Sequence, residues 1–159
     1  MKLDHLALRT TNRIKTAEFW IKAFGYRISE EFDIPFSNGT FAKSIALKPP
    51  TGSDMPELFI SDGEEGSVVG DWVKIHGSGL HHAAISVDSV EQTMEEWKRA
   101  GYAEFTTSEP IVCSDNSMTQ IFTKPSDVNG FVIELIKRSV DSPGFCAGNV
   151  KKLMESSKG

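Results

Sequence analysis

Alternating side chains open the chain. Leu3, His5, Ala7 and Arg9 share one face of an extended segment while Asp4, Leu6, Leu8 and Thr10 share the other, which predicts a strand with His5 beside apolar neighbours. The period then changes. Ala17, Phe19, Trp20, Ala23 and Phe24 fall at helical spacing within 16–25, and Gly25 suits the C-terminal cap. Residues 26–35 and 40–48 read as strands joined by a turn at Ser37-Asn38-Gly39, where Asn-Gly accommodates positive φ. Pro49-Pro50-Thr51-Gly52 interrupts the pattern before a short strand at 57–61, so the first half has the order βαβββ. An acidic, flexible stretch, Asp62-Gly63-Glu64-Glu65-Gly66, leads through a short helix at 68–76 to Gly77-Ser78-Gly79.

The second half repeats this pattern. It predicts a strand at 81–87, a helix at 89–100 opened by Asp88 or Ser89 and closed by Gly101, and strands near 102–107, 118–124 and 131–138. A turn at Asp127-Val128-Asn129-Gly130 precedes the last strand, and after Pro143 a short helix at 148–156 has no counterpart in the first half. A displacement of 77 residues carries His5 onto His82, Glu57 onto Glu134 and Trp20 onto Trp97, with Leu3, Ala7, Thr16, Glu18, Ala23 and Leu58 meeting identical residues. The pattern predicts one α+β domain over 1–159, built from two tandem βαβββ modules at about 1–62 and 80–138, with a connector at 63–79 and a tail at 139–159.

Composition narrows the class. With 159 residues, 39% hydrophobic and 25% charged, the chain is long enough for one substantial core and short for two independent ones. No apolar run approaches the roughly 20 residues of a membrane span, and MKLDHLALRT enters the strand pattern directly, so a cytoplasmic location is expected. Cys113 and Cys146 lack CxxC spacing and are too few for a disulfide framework, which predicts buried or incidental thiols. A net charge of -5 without a Lys/Arg block argues against nucleic-acid and anionic-membrane surfaces and leaves a small molecule as the expected partner.

Four side chains carry the candidate chemistry. A single His on an apolar strand face is ordinarily a hydrogen-bonded core residue, but His5 and His82 are related by the same displacement as Glu57 and Glu134. In Phe131-Val132-Ile133-Glu134-Leu135-Ile136 a carboxylate interrupts an apolar run, where burial costs several kcal/mol without a partner. A cation would be that partner. Trp20 and Trp97 read as helix-to-sheet core contacts, His76 as solvated, and Glu64 and Glu65 as an exposed acidic loop.

Paired βαβββ modules with His on the first strand and Glu on the last resemble the vicinal oxygen chelate superfamily, which includes glyoxalase I, methylmalonyl-CoA epimerase and extradiol dioxygenases. The resemblance covers almost the whole chain and implies a curved, barrel-like mixed sheet enclosing a divalent metal, with His82 rather than His81 as ligand. The segments Gln120-Ile121-Phe122-Thr123-Lys124-Pro125, Ile133-Glu134-Leu135-Ile136-Lys137-Arg138 and Gly144-Phe145-Cys146-Ala147-Gly148-Asn149 are similar to the catalytic C-terminal half of 4-hydroxyphenylpyruvate dioxygenase. That likeness implies Fe(II) held by His5, His82 and Glu134, a pocket lined by Ser44, Gln120, Phe122 and Phe145, and oxidative decarboxylation of a 2-oxo acid. Phe145 either caps this pocket or simply anchors the tail.

Glu57 points to another branch. The dioxygenase has an apolar residue there, whereas glyoxalase I uses two His and two Glu around Ni(II), Co(II), Zn(II) or Mn(II) as Lewis acid. In an isomerase of that kind, or of the methylmalonyl-CoA epimerase kind, Glu57 or Glu134 would be the base. The epimerase also carries a double His like His81-His82, although one of its carboxylates would align near Ser44. A non-catalytic small-molecule-binding protein of the same fold is the third alternative. Single paired-module proteins of this superfamily imply a homodimer.

Overall fold

The computed structural model describes residues 1–139 and 144–158; the parts of the tail expectation that fall on 140–143 and 159 lie outside them. Among the described residues the elements are, in chain order, β1 (Lys2–Arg9), α1 (Arg13–Phe24), β2 (Arg27–Pro35), β3 (Phe41–Lys48), β4 (Glu57–Gly63), α2 (Val68–His76), β5 (Gly79–Ser86), α3 (Val90–Ala100), β6 (Ile111–Val112), β7 (Met118–Phe122), β8 (Val132–Arg138) and α4 (Ala147–Ser156). The strands run in the order β2-β3-β4-β1 in the first half and β5-β8-β7-β6 in the second, mixing parallel and antiparallel pairs in an α+β fold. Compactness divides the chain into two units, His5–His81 and Met1–Asp4 with His82–Gly159. Among the described residues no helix is long and apolar enough to cross a membrane.

Local chemistry sets the element ends. Asn12 Oδ1 accepts from the Lys15 amide at 3.0 Å to open α1, and Ser89 Oγ accepts from the Gln92 amide at 3.2 Å to open α3. Each satisfies one of the amides that a helix start leaves without an intrahelical partner. Gly25 and Gly101 close the two helices in the left-handed region, with φ of 74° and 72°, where a Cβ would be strained.

In unit His5–His81, β4 lies between β1, parallel, and β3, antiparallel. One face presents Leu6, Leu8, Ile45, Leu47, Leu58 and Ile60 to Ala17, Trp20 and Tyr26, forming that unit's core against α1. The other face carries His5, Ala7, Arg9, Ser44, Phe59 and Ser61, as period-2 alternation requires. In the second unit Ile85, Ile121, Ile133 and Leu135 pack against Val90, Met94 and Trp97 of the α3 side. Trp20 and Trp97 are thus core contacts in both halves.

Two expectations are corrected. The strand expected at 102–107 reduces to a single bridge between Phe105 and Thr123, and Ile111–Val112 is the segment that pairs with β7. Phe105 is held by its ring in the α3 core, while Thr107 turns its hydroxyl onto the Glu109 carbonyl at 2.8 Å, which bends the chain away from the ladder. The second correction concerns the cysteines. Cys113 and Cys146 form a disulfide, because the tail returns across β6 and β7 and brings together sulfurs 33 residues apart.

Candidate metal centre

Strand register in the second unit brings His82, Gln120, Phe122 and Glu134 together. Glu134 on β8 stands opposite Ala84 of β5 and Phe122 of β7, so His82, two residues before Ala84, and Gln120, two before Phe122, are its diagonal neighbours on the same face. His82 Nε2 lies 2.9 Å from Glu134 Oε2, and the Gln120 amide nitrogen donates to Oε1 at 2.6 Å. The Phe122 ring sits 4.6 Å from the His82 ring and covers one of its faces. Glu134 is only 1% exposed and His82 8%. A carboxylate buried this deeply is tolerable only with charge-matched or hydrogen-bonding partners.

The donor spacing suits a metal. Two ligands at about 2.1 Å from one ion, at right angles, stand about 3.0 Å apart, and the His82–Glu134 separation of 2.9 Å agrees with that. These two residues are close enough for both to hold one divalent cation.

Gln120 extends the network. An ionised carboxylate only accepts, so Gln120 must turn its NH2 toward Glu134 and its carbonyl oxygen away. That oxygen accepts from Asn149 Nδ2 of α4 at 3.0 Å. Asn149 is 1% exposed and was not singled out as a site residue from the sequence. Its one signal was its place in the tail segment Gly144–Asn149, for a polar residue at the start of an amphipathic helix is ordinarily a surface residue.

In unit His5–His81, His5 is 2% exposed and stands opposite Glu57, while Ala7 stands opposite Phe59. The corresponding pairs in the other unit are His82 with Val132 and Ala84 with Glu134. Register therefore makes Phe59, not Glu57, the counterpart of Glu134. Glu57 lies two residues earlier, on the same face but roughly 6.6 Å back along the strand. Phe59 packs against Phe32, with ring centroids 5.6 Å apart, and adjoins Ala46.

The remaining candidates are placed as follows. Ser44 is buried with its hydroxyl 2.6 Å from that of Ser61. His81 is buried edge-on to Trp72 at 5.5 Å, and His76, exposed, stacks near Trp72 at 4.7 Å. Arg9, on the His5 face of β1, has its guanidinium 5.8 Å from the Trp72 ring, and burial lowers its pKa to about 9. Phe145 lies under the Arg138 guanidinium at 5.3 Å, and Arg138 also donates to the Gly144 carbonyl.

The family model described as glyoxalase/bleomycin resistance protein/dioxygenase superfamily matches residues 4–122. Human mitochondrial methylmalonyl-CoA epimerase is 25% identical over 134 residues, 84% of this chain and 72% of that protein. A lactoylglutathione lyase of Arabidopsis thaliana is 27% identical over 145 residues, 89% of this chain and 46% of that protein. Among solved structures, a mutant 4-hydroxymandelate synthase from Streptomyces coelicolor matches 99% of this chain at a TM-score of 0.85 and 20% identity, and this chain spans about half of it, 53%. Methylmalonyl-CoA epimerase from Mycobacterium tuberculosis matches 87% of this chain and 88% of its own at a TM-score of 0.69 and 19% identity.

Proposed function

Because this chain belongs to the glyoxalase/bleomycin resistance protein/dioxygenase superfamily, we propose that it is a metal-dependent enzyme of the non-haem Fe(II) dioxygenase type, acting on a 2-oxo acid. Its ligands are His5, His82 and Glu134. The observation that carries this reading is the register of β4, which puts apolar Phe59 at the counterpart of Glu134 and so leaves one carboxylate in the set. Two His and one carboxylate leave coordination positions open, as oxygen chemistry on Fe(II) requires.

Bound Fe(II) would bind and activate dioxygen and the 2-oxo acid, and the four electrons that reduce dioxygen would come from the substrate, two from the 2-oxo acid as it loses CO2 and two from the remainder. The chain's own residues prepare that centre. Gln120 occupies Glu134 Oε1 and directs Oε2 toward His82 Nε2. Metal binding requires Nε2 of His82 as a lone pair, so a proton on that nitrogen leaves when the ion enters. Phe122 holds the imidazole plane and keeps water off one of its faces. Ser44 and Phe122 are the substrate-lining residues of this reading, and Phe145 anchors the tail on Arg138. The expected assembly is a homodimer.

Anaerobic reconstitution with Fe(II), followed by an oxygen-electrode trace with a panel of aryl 2-oxo acids, is expected to show substrate-dependent uptake matched by CO2 release. No uptake across the panel sinks the dioxygenase reading. The identity with methylmalonyl-CoA epimerase supports a second reading, a Lewis-acid isomerase with Co(II) or another divalent ion and Glu57 or Glu134 as base. Exchange of the proton beside a thioester carbonyl for deuterium by Co(II)-loaded protein, without oxygen uptake, would put that reading in place of the first.

A further inference from the structure

Helix α4 is attached to the candidate centre by hydrogen bonds and to the β6–β7 turn by a covalent bond. Asn149 Nδ2 donates to Gln120 Oε1 at 3.0 Å, and Gln120 Nε2 donates to Glu134 Oε1 at 2.6 Å. The other side of Asn149 Nδ2 faces the Ile111 and Met118 carbonyls at 3.4 and 3.5 Å. Every polar direction is determined, since Glu134 accepts only and Asn149 reaches Gln120 through its donor. Without Asn149 the Gln120 amide is free to rotate and offer its oxygen to the carboxylate.

The start of α4 is built differently from the others. Helices α1, α2 and α3 open on side-chain caps from Asn12, Ser67 and Ser89, whereas the N-cap of α4 is Cys146, with no side-chain cap bond. Ala147 and Gly148 follow, both exposed, and a glycine in the first turn adds little to helix stability. The Cys113–Cys146 disulfide ties this turn beside β6, where the Cys113 amide donates to the Met118 carbonyl at 2.9 Å. Asn149 lies in that same first turn, one position before Val150, whose amide donates to the Cys146 carbonyl at 2.9 Å.

We infer that Asn149 is a positioning residue for Glu134, acting through Gln120, and that the Cys113–Cys146 disulfide makes this positioning redox-dependent. The inference rests on the metal-ligand reading of Glu134. With the disulfide intact, α4 holds Asn149 against Gln120 and the carboxylate is fixed. Reduction is by exchange with a cellular dithiol. Its thiolate attacks one sulfur, the other departs as thiolate, and the second thiol then displaces the first protein sulfur. Two electrons and two protons pass to Cys113 and Cys146, and the reductant becomes a disulfide. The first turn of α4 then frays, Gln120 loses its acceptor-side partner, and Glu134 becomes a poorer ligand.

Co(II) titration under nitrogen, read by the visible ligand-field bands, tests this. Gln120→Ala is expected to weaken Co(II) binding about 10–100-fold, the range for partners that orient metal ligands, and Asn149→Ala about tenfold with an altered band shape. In the Gln120→Ala background, Asn149→Ala should add nothing, because it acts through that side chain. Wild-type protein reduced with a phosphine, which takes up oxygen from water as the disulfide becomes two thiols, and then desalted should match Asn149→Ala, and reoxidation should restore it. Cys113→Ser/Cys146→Ser should resemble the reduced form, and reversible reduction of the wild type settles the matter if that variant does not fold. Unchanged affinity and bands after two thiols per chain have been titrated would overturn the redox dependence. Full additivity of the Asn149 and Gln120 losses would overturn the positioning role. Wild-type protein that binds Co(II) no better than His82→Ala overturns the metal reading itself, a result separate from either of these.

Discussion

Glu134 shows how one side chain can announce a site. A carboxylate inside Val132–Leu135 must find partners when the strand is buried, and the structure supplies His82 and Gln120 at 2.9 and 2.6 Å. Replacing it with Gln removes the charge but keeps the shape, so Glu134→Gln is expected to weaken Co(II) binding by about 100-fold or more, beyond the usual loss for an orienting partner. Glu57→Gln should leave binding within about threefold, because Glu57 stands a strand-step away from the Glu134 counterpart. A large loss from Glu57→Gln in the same titration would restore the four-ligand isomerase reading. His81→Ala should retain the metal, since His81 faces Trp72 and alternation turns it from the His82 side. At this scale the sequence made Glu134 and His82 visible through pattern. Gln120 and Asn149 are polar residues whose partners lie 14 and 29 positions away, so no local pattern marks the network they form.

Elements were legible where side-chain period and capping agreed. Helix α3 starts at Ser89 and stops at Gly101 as expected, α1 stops at the expected Gly25 but starts three residues before the expected 16, at Arg13, and β1 follows its alternation. Phe105 misled the strand reading because an apolar ring between polar residues serves a loop anchor as well as a strand. Helix α2 offers a test where two local effects conflict. Alanine exceeds glycine in helix propensity by about 1 kcal/mol, yet a Cβ at Gly70 would stand 2.1 Å from the Glu64 carbonyl oxygen. That carbonyl also accepts from the Ser67 amide at 3.1 Å and the Ser67 hydroxyl at 2.6 Å, so it cannot withdraw without losing both. Overpacking of this kind costs about 1–3 kcal/mol, so Gly70→Ala should lower the urea midpoint at unchanged m-value. A raised midpoint would show that the Glu64–Ser67 turn yields freely.

For the molecule as a whole, the metal reading links function to stability. An ion that binds only the folded chain stabilises it by about 2.7 kcal/mol at 100 times its dissociation constant, or roughly 5–10 °C in Tm for a chain of this size. Thermal melts with Co(II) should show that rise, chelator should reverse it, and His82→Ala should show neither. The sequence alone pointed to a duplicated α+β protein with His5, His82, Glu134 and Glu57 as candidate ligands, because strand and helix periods are local, the repeat pairs these four, and a carboxylate stands out in an apolar run. Tertiary structure decided three further matters. It made Phe59 the counterpart of Glu134, since a shift of two residues keeps the strand face and leaves no trace in the pattern. It joined Cys113 to Cys146, and it brought Asn149 to Gln120. Both contacts depend on where the tail returns, and that path is set by the packing of Leu153 against Phe122 and Val132, residues distant in sequence.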